Sequence, residues 1–271
     1  MMRILLTNDD GIQAPGLHAL AEAVAPLGEI IIVAPDRQQS AVGHAVTVSE
    51  PLRVVPFRIN GRYAGYAVNG TPADCVKLAV TTLVPWRPDV IASGINHGRN
   101  TAVNILYSGT VSAATEGILL GIPSVAFSLD TYGEEADFRA AIVIARELIR
   151  MLPRWQLPCG TLLNVNIPAL PLEQIRGVRF TRQGSSVWRD WYERRYDPWG
   201  REYFWLAGEY VCRAEHDDAD DVALSEGYVS ITPIRYELTD IATLERLRCH
   251  ASDLLSVLSH SVSAPENGET A

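Results

Sequence analysis

Hydrophobic positions in this chain come in short unbroken runs, separated by stretches where they recur every three or four residues, and that alternation predicts strands and helices in turn. Residues 3–6 form the first apolar run and residues 29–34 the second; between them Leu17, Leu20, Ala21 and Val24 mark a helix over 15–27. Thr71-Pro72-Ala73-Asp74 carries a helix-start signature: a capping hydroxyl, proline at the first position and an acid in the first turn. That helix is expected to hold Val76, Leu78, Ala79 and Leu83 and to end before Pro85. Strands at 89–92 and 122–129 and helices at 110–120 and 134–151 continue the series. Apolar strands interleaved with helices point to a mainly parallel sheet covered on both faces. Residues 46–68 read instead as short hairpin strands interrupted by Asn60-Gly61.

Beyond residues 162–168 the character changes. Residues 188–205 contain Trp188, Trp191, Trp199 and Trp205 with Tyr192, Tyr196, Tyr203 and Phe204. Such a surface could stack bases of single-stranded nucleic acid. Yet Arg189, Arg194, Arg195 and Arg201 are balanced by Asp190, Glu193, Asp197 and Glu202, so the segment has no net positive charge. An extended hairpin or arm packing on another subunit is the preferred reading, because aromatics and Arg are enriched in interface hot spots. The acidic stretch 209–226, with His216-Asp217-Asp218 inside it, reads as a solvated or flexible loop rather than a metal cluster. A strand at 227–232, a helix at 241–258 and a disordered tail at 261–271 complete the chain.

Composition narrows the class. At 271 residues and 47% apolar content the chain can bury a sizeable core, and its formal charge of -9 argues against general affinity for nucleic acid or anionic membranes. A phosphorylated substrate would therefore need a local cation. Cys75, Cys159, Cys212 and Cys249 are widely spaced, with no Cys-x-x-Cys pair, and read as reduced thiols in a cytoplasmic protein. No apolar run approaches the roughly 18 residues that a membrane span needs.

The chemistry collects in four loops that follow strands or open helices. They are Asn8-Asp9-Asp10-Gly11, Pro35-Asp36-Arg37-Gln38-Gln39-Ser40, Ser93-Gly94-Ile95-Asn96-His97-Gly98-Arg99-Asn100 and Tyr107-Ser108-Gly109-Thr110. In a parallel sheet all four can converge on the crevice beyond the carboxyl ends of the strands. Adjacent carboxylates repel, and a cation between them relieves that repulsion. Carboxylate, amide and hydroxyl oxygens suit Mg²⁺ or Mn²⁺ rather than zinc. Ser108-Gly109-Thr110 at a helix start offers N–H groups and a positive dipole end to phosphate. Each loop also has a plain reading: Asp-Asp-Gly and Ser-Gly-Ile-Asn as turns, Ser-Gly-Thr as a helix cap.

Taken together, Ile4-Leu5-Leu6-Thr7-Asn8-Asp9-Asp10-Gly11-Ile12, Ala14-Pro15-Gly16, Val33-Ala34-Pro35-Asp36-Arg37, Asn69-Gly70-Thr71-Pro72-Ala73-Asp74-Cys75-Val76, Ser93-Gly94-Ile95-Asn96, Tyr107-Ser108-Gly109-Thr110-Val111 and Gly227-Tyr228-Val229-Ser230-Ile231-Thr232-Pro233 resemble the SurE family of survival-protein nucleotidases. The resemblance runs in order from the amino terminus to Pro233. It implies a Rossmann-like α/β sandwich of three layers with a mainly parallel sheet. It also implies a C-terminal β-hairpin and helix extension exchanged between subunits of a homodimer or homotetramer. One domain over 1–260 is expected, its core at 1–182 and 227–235, its arm at 183–226 and its C-terminal helix at 240–258.

The implied activity is metal-dependent hydrolysis of nucleoside 5'-monophosphates, with 3'-nucleotides and short polyphosphate as further substrates. The implied cofactor is one divalent ion per subunit, Mg²⁺ or Mn²⁺, held by Asp9, Asp10, Ser40 and Asn96. Phosphate contacts would fall at Ser108, Gly109 and Thr110 with help from Asn8, and Asp9 or Asp10 would orient the attacking water or take its proton. The chain departs from the family at Ala41, where glycine is usual.

Two rivals are weaker. A covalent aspartyl-phosphate enzyme wants Asp-x-Asp-Gly after the first strand, and here an amide, Asn8, stands in the nucleophile's place. A non-catalytic, Mg²⁺-dependent nucleotide sensor would use the acid pair only to hold the ion. His44 and His97 lie near the site in sequence and are either proton donors to the leaving alcohol or ordinary hydrogen-bonded histidines.

Overall fold

The structure, a computed structural model, describes residues 1–59, 63–133, 135–213 and 216–255. The first apolar run is strand β1 (Met2–Thr7), followed by helix α1 (Pro15–Val24) and strand β2 (Gly28–Pro35). A hairpin of β3 (Val54–Ile59) and β4 (Tyr63–Val68) precedes α2 (Pro72–Leu78), then come β5 (Val90–His97), α3 (Gly109–Leu119), β6 (Ser124–Asp130), α4 (Arg139–Trp155) and β7 (Thr161–Pro168). The chain continues through β8 (Val178–Phe180), β9 (Val187–Tyr196), β10 (Glu202–Val211), α5 (Asp220–Ser225), β11 (Val229–Arg235) and α6 (Ile241–Arg248).

Among the described residues nine strands make one sheet, in the order β3-β4-β2-β1-β5-β6-β7-β11-β8. Strands β4, β2, β1, β5, β6 and β7 run parallel, whereas β3 and β11 are antiparallel to their neighbours β4 and β7. Alternation along each strand sends Ile4 and Leu6 to the face covered by α1 and α4, where Leu17, Leu20, Leu148 and Ile149 meet them. Leu5, Val33 and Ile91 face the other way, against Cys75, Val76 and Ala113 of α2 and α3. The expected three-layer sandwich is the observed fold.

Several boundaries differ from the sequence reading. Strand β5 continues to His97, five residues past its expected end, because a register shift between Ser93 and Asn96 lets pairing with β6 resume. Helix α4 begins at Arg139, not 134, and carries Pro153 in its last turns; Glu134 lies outside the described residues. Helix α2 passes into a π turn at Ala79–Leu83. The Asn60-Gly61 interruption, the end of the C-terminal helix beyond residue 255 and the tail all fall outside the described residues.

Strands β9 and β10 form a separate two-stranded sheet. The acidic stretch is solvated only in part: His216, Asp217 and Asp218 are exposed, whereas Asp220 and Asp221 are buried at the start of α5. Helix α5 forms because two acids precede Val222, Ala223 and Leu224, a helix-start pattern that the surrounding charge obscures. Met1–Arg235 form one compact unit and Tyr236–Ala271 a second, in which Asp240 caps α6 through the Thr243 N–H at 3.0 Å. No helix among the described residues is long and apolar enough to cross a membrane.

Candidate active site

Strand β1 lies at the point where the order reverses, with β2 on one side and β5 on the other, so the crevice beyond its carboxyl end opens beside both. Thr7 and Ser93 are register partners at that end. Asn8, Asp9 and Asp10 follow directly; Asn8 and Asp9 are buried and Asp10 is half-buried. The Asn8 amide donates to the Gly11 carbonyl at 2.9 Å and holds the turn, which needs a φ of +100° at Gly11.

The other three loops meet the acid pair. The Gln39 N–H donates to the Asp9 carbonyl at 2.7 Å, which brings the β2 loop and the exposed Ser40 alongside; the Ser40 hydroxyl accepts from Gln38. From β5, the His97 N–H donates to Asp10 Oδ2 at 3.1 Å. Asn96, re-aimed by the bulge, donates its amide to the Gly98 carbonyl at 2.8 Å, which leaves its side-chain oxygen to offer. From α3, the Thr110 hydroxyl donates to Asp9 Oδ1.

Ser108 caps α3 by accepting from the Val111 N–H at 3.1 Å, which leaves its hydroxyl hydrogen to donate, while the first-turn N–H groups of Gly109 and Thr110 stand at the positive end. Gly109 sits hard against the acid: a Cβ there would come 2.7 Å from Asp9 Cβ and 3.0 Å from Asp9 Oδ2. Only glycine lets the helix start approach this carboxylate so closely.

Burial, and next the charge of Asp10, push the Asp9 carboxyl up to about 6, against the downward pull of the Thr110 hydroxyl. Asp10 is also raised, by burial first, with the His97 N–H opposing it. No Lys or Arg pairs with either acid among the described residues. Thr7 Oγ1, Asn8 Oδ1 and Ser93 Oγ, in the floor below, are buried without a hydrogen-bond partner among the described residues. A crowded acid pair with hard oxygen donors beside it and a polar floor fits a divalent cation.

Both histidines are hydrogen-bonded elsewhere. His44 Nε2 lies 3.0 Å from Glu116 Oε2, and His97 Nε2 lies 2.7 Å from the Gly133 carbonyl. His216-Asp217-Asp218 builds no metal cluster with other acids, cysteines or histidines among the described residues. A cavity of about 620 Å³ opens at the far end of the strands, against Met2, Val90, Ile122, Leu152 and Thr161, and takes in none of the candidate residues.

Sequence reasoning missed the packing of Gly109 on Asp9 and the layer behind the site. There Asn100 is buried, its N–H donating to Asn166 Oδ1 and its amide to the Ser128 hydroxyl, while Asn164 holds the Asn100 carbonyl at 2.8 Å. Asparagines 164 and 166 inside an otherwise apolar strand were the available signal.

The family model described as Survival protein SurE matches residues 4–190. The protein named 5'-nucleotidase SurE from Syntrophobacter fumaroxidans is 47% identical over 246 residues, 91% of this chain and 98% of its own length. Its namesake from Nitratidesulfovibrio vulgaris strain DP4 is 48% identical over 250 residues, again 91% and 98%. Among solved structures, the SurE protein from Aquifex aeolicus superposes with a TM-score of 0.78 at 38% identity, covering 93% of this chain and 99% of that one.

Proposed function

The chain belongs to the SurE survival-protein family, and from that premise we propose that it is a 5'-nucleotidase, a metal-dependent phosphatase that cleaves nucleoside 5'-monophosphates to nucleoside and phosphate. The observation that carries this reading is the meeting of three loops on the Asp9-Asp10 pair, with the start of α3 packed against Asp9.

Asp9, Asp10, Ser40 and Asn96 would hold one divalent ion, Mg²⁺ or Mn²⁺. When bound, the ion supplies charge neutralisation for the acid pair and Lewis acidity toward phosphoryl oxygens. The chain's own residues do the rest. The N–H groups of Gly109 and Thr110, at the positive end of α3, receive the non-bridging oxygens as charge builds on them. Ser108 shapes this cradle by capping the helix, and Asn8 holds the turn beneath the phosphate. Asp10, the more open acid, orients the attacking water and accepts its proton. Thr110 fixes the Asp9 carboxylate by one oxygen.

The same proposal covers 3'-nucleotides and short polyphosphate as further substrates, a cytoplasmic location and a homodimer or homotetramer built through the β9–β10 arm. What supports the arm's part is its exposed Trp191, Trp199 and Trp205 on a hairpin outside the main sheet.

The test is phosphate release from a panel of 5'- and 3'-nucleoside monophosphates with Mn²⁺, Mg²⁺ or EDTA, for wild type and Asp9→Asn. Turnover that needs metal and vanishes in the variant is the expected result. A folded wild type that binds nucleotide without releasing phosphate would instead make the protein a sensor.

A further inference from the structure

Two carboxylates, Asp220 and Asp221, are buried at the start of α5, far along the chain from every residue discussed for the chemistry. Asp220 accepts main-chain N–H groups from three places: Ala102 at 3.0 Å, Gly184 at 2.9 Å and Asp221 at 2.8 Å. Ala102 is itself unusual, a buried non-glycine residue with φ of +52°, a conformation that needs external support. The support is doubled, since Gln183 Nε2 donates to the Ala102 carbonyl at 2.9 Å.

Ala102 begins the 3₁₀ turn Ala102–Leu106, and that turn delivers the chain to the phosphate cradle. Inside it the Asn104 N–H donates to the Thr101 carbonyl, and the Asn104 carbonyl then receives the N–H groups of Tyr107 and Ser108 at 3.1 Å. The far end is pinned separately by the Gly43 N–H on the Tyr107 carbonyl at 3.1 Å. The segment from Ala102 to Ser108 is thus a short rigid strut with Asp220 at one end and the start of α3 at the other.

We infer that Asp220, helped by Gln183, is a positioning residue of the phosphate site: it holds the strut that sets where Ser108, Gly109 and Thr110 stand. The carboxylate is suited to this because its two oxygens together accept all three N–H groups and leave no buried donor unpaired. Asp221 extends the hold toward the arm, accepting from the Ser186 hydroxyl and from Tyr210 of β10 at 3.1 Å. Tyr210 lies under the Arg99 guanidinium, which pairs with Asp130 at 2.8 Å. The root of the hairpin and the edge of the site are therefore joined through one pair of acids.

The inference rests on the nucleotidase reading for its consequence in turnover, and on phosphate binding for itself. The experiment compares wild type, Asp220→Asn and Gln183→Met in Mg²⁺, reading KM and kcat for a nucleoside 5'-monophosphate and, by calorimetry, the affinity for inorganic phosphate. Asp220→Asn should raise KM and weaken phosphate binding together by about tenfold, as sub-ångström displacement of a binding group does. The Mg²⁺ concentration for half-activity should stay within about twofold, because the acid pair is not touched. Gln183→Met, which removes one strap and no charge, should move both values the same way by about threefold; if Asp220→Asn does not fold, this variant decides. No turnover by the wild type refutes the nucleotidase reading. Equal phosphate affinity in wild type and folded variants overturns the positioning role, whatever turnover is seen, and assigns Asp220 to stability alone.

Discussion

Gly109 shows how a single missing methyl can define a site. An alanine there would drive Cβ into Asp9, in a part of the molecule where Asp9 is also tied to Thr110 and Gln39 and has nowhere to move. Gly109→Ala is expected to lower kcat by about 100-fold, the usual scale for displacing a reacting group by an ångström; a variant with wild-type kcat would show that the close approach is incidental. Ala41 is the opposite case. Its φ of +58° is glycine's territory, and the methyl costs about 1 kcal/mol there, but the residue is exposed and the strain is local.

Asp220 carries the residue-scale pH dependence. Burial raises its carboxyl from 3.8 to about 6, with the surrounding N–H groups pulling the other way. The folded state therefore keeps this proton to higher pH than the unfolded chain does. The stability this confers is complete below about 4 and is lost as pH rises through about 6, by roughly 3 kcal/mol at most. Urea midpoints measured from pH 4 to 7 should fall more steeply for wild type than for Asp220→Asn; parallel curves would mean that the carboxyl titrates normally.

At the scale of elements, caps and bulges decide where the polar groups go. Thr71 and Asp74 form a reciprocal capping box on α2, and Asp74 also accepts from Thr47 N–H and hydroxyl at 3.0 and 2.6 Å, so the same acid that starts the helix ties down the loop containing Ser40. The cap was legible in the sequence; its second use was not, since Thr47 is distant along the chain. The β9–β10 hairpin poses a different question. Leu206 and Tyr192 are register partners and both are exposed, as are Trp191, Trp199 and Trp205. A two-stranded ribbon is marginal alone and is stabilised by packing. Tyr192→Glu combined with Leu206→Glu should shift the sedimentation mass to that of one chain, and a wild type that sediments as a monomer would remove the arm from assembly.

At the scale of the whole molecule, the sheet order places the chemistry. Loops separated by up to a hundred residues meet because β2 and β5 flank β1, and the parallel arrangement puts all their carboxyl ends on one side. Glu116 illustrates the same long reach: buried on α3, it pairs with Lys77 of α2 at 2.6 Å and with His44, and these partners lower its pKa. Toward its two ends the sheet reverses direction: β3 pairs antiparallel with β4, and β11 antiparallel with β7 after an excursion through the arm, with β8 alongside it at the edge.

What the amino-acid sequence determined by itself was whatever depends on near neighbours. Apolar runs and three- or four-residue spacings set the strands and helices, Thr71-Pro72-Ala73-Asp74 set a helix start, and the motifs around Asp9, Asn96 and Ser108 carried the family and its expected ligands. The tertiary structure decided what depends on distant partners. It committed the Thr110 hydroxyl to Asp9, shifted the register of β5 between Ser93 and Asn96, and buried two carboxylates of an acidic stretch. The physical reason is that a charge in water and a charge among main-chain N–H groups look the same along the chain; only the fold supplies the donors that make burial affordable.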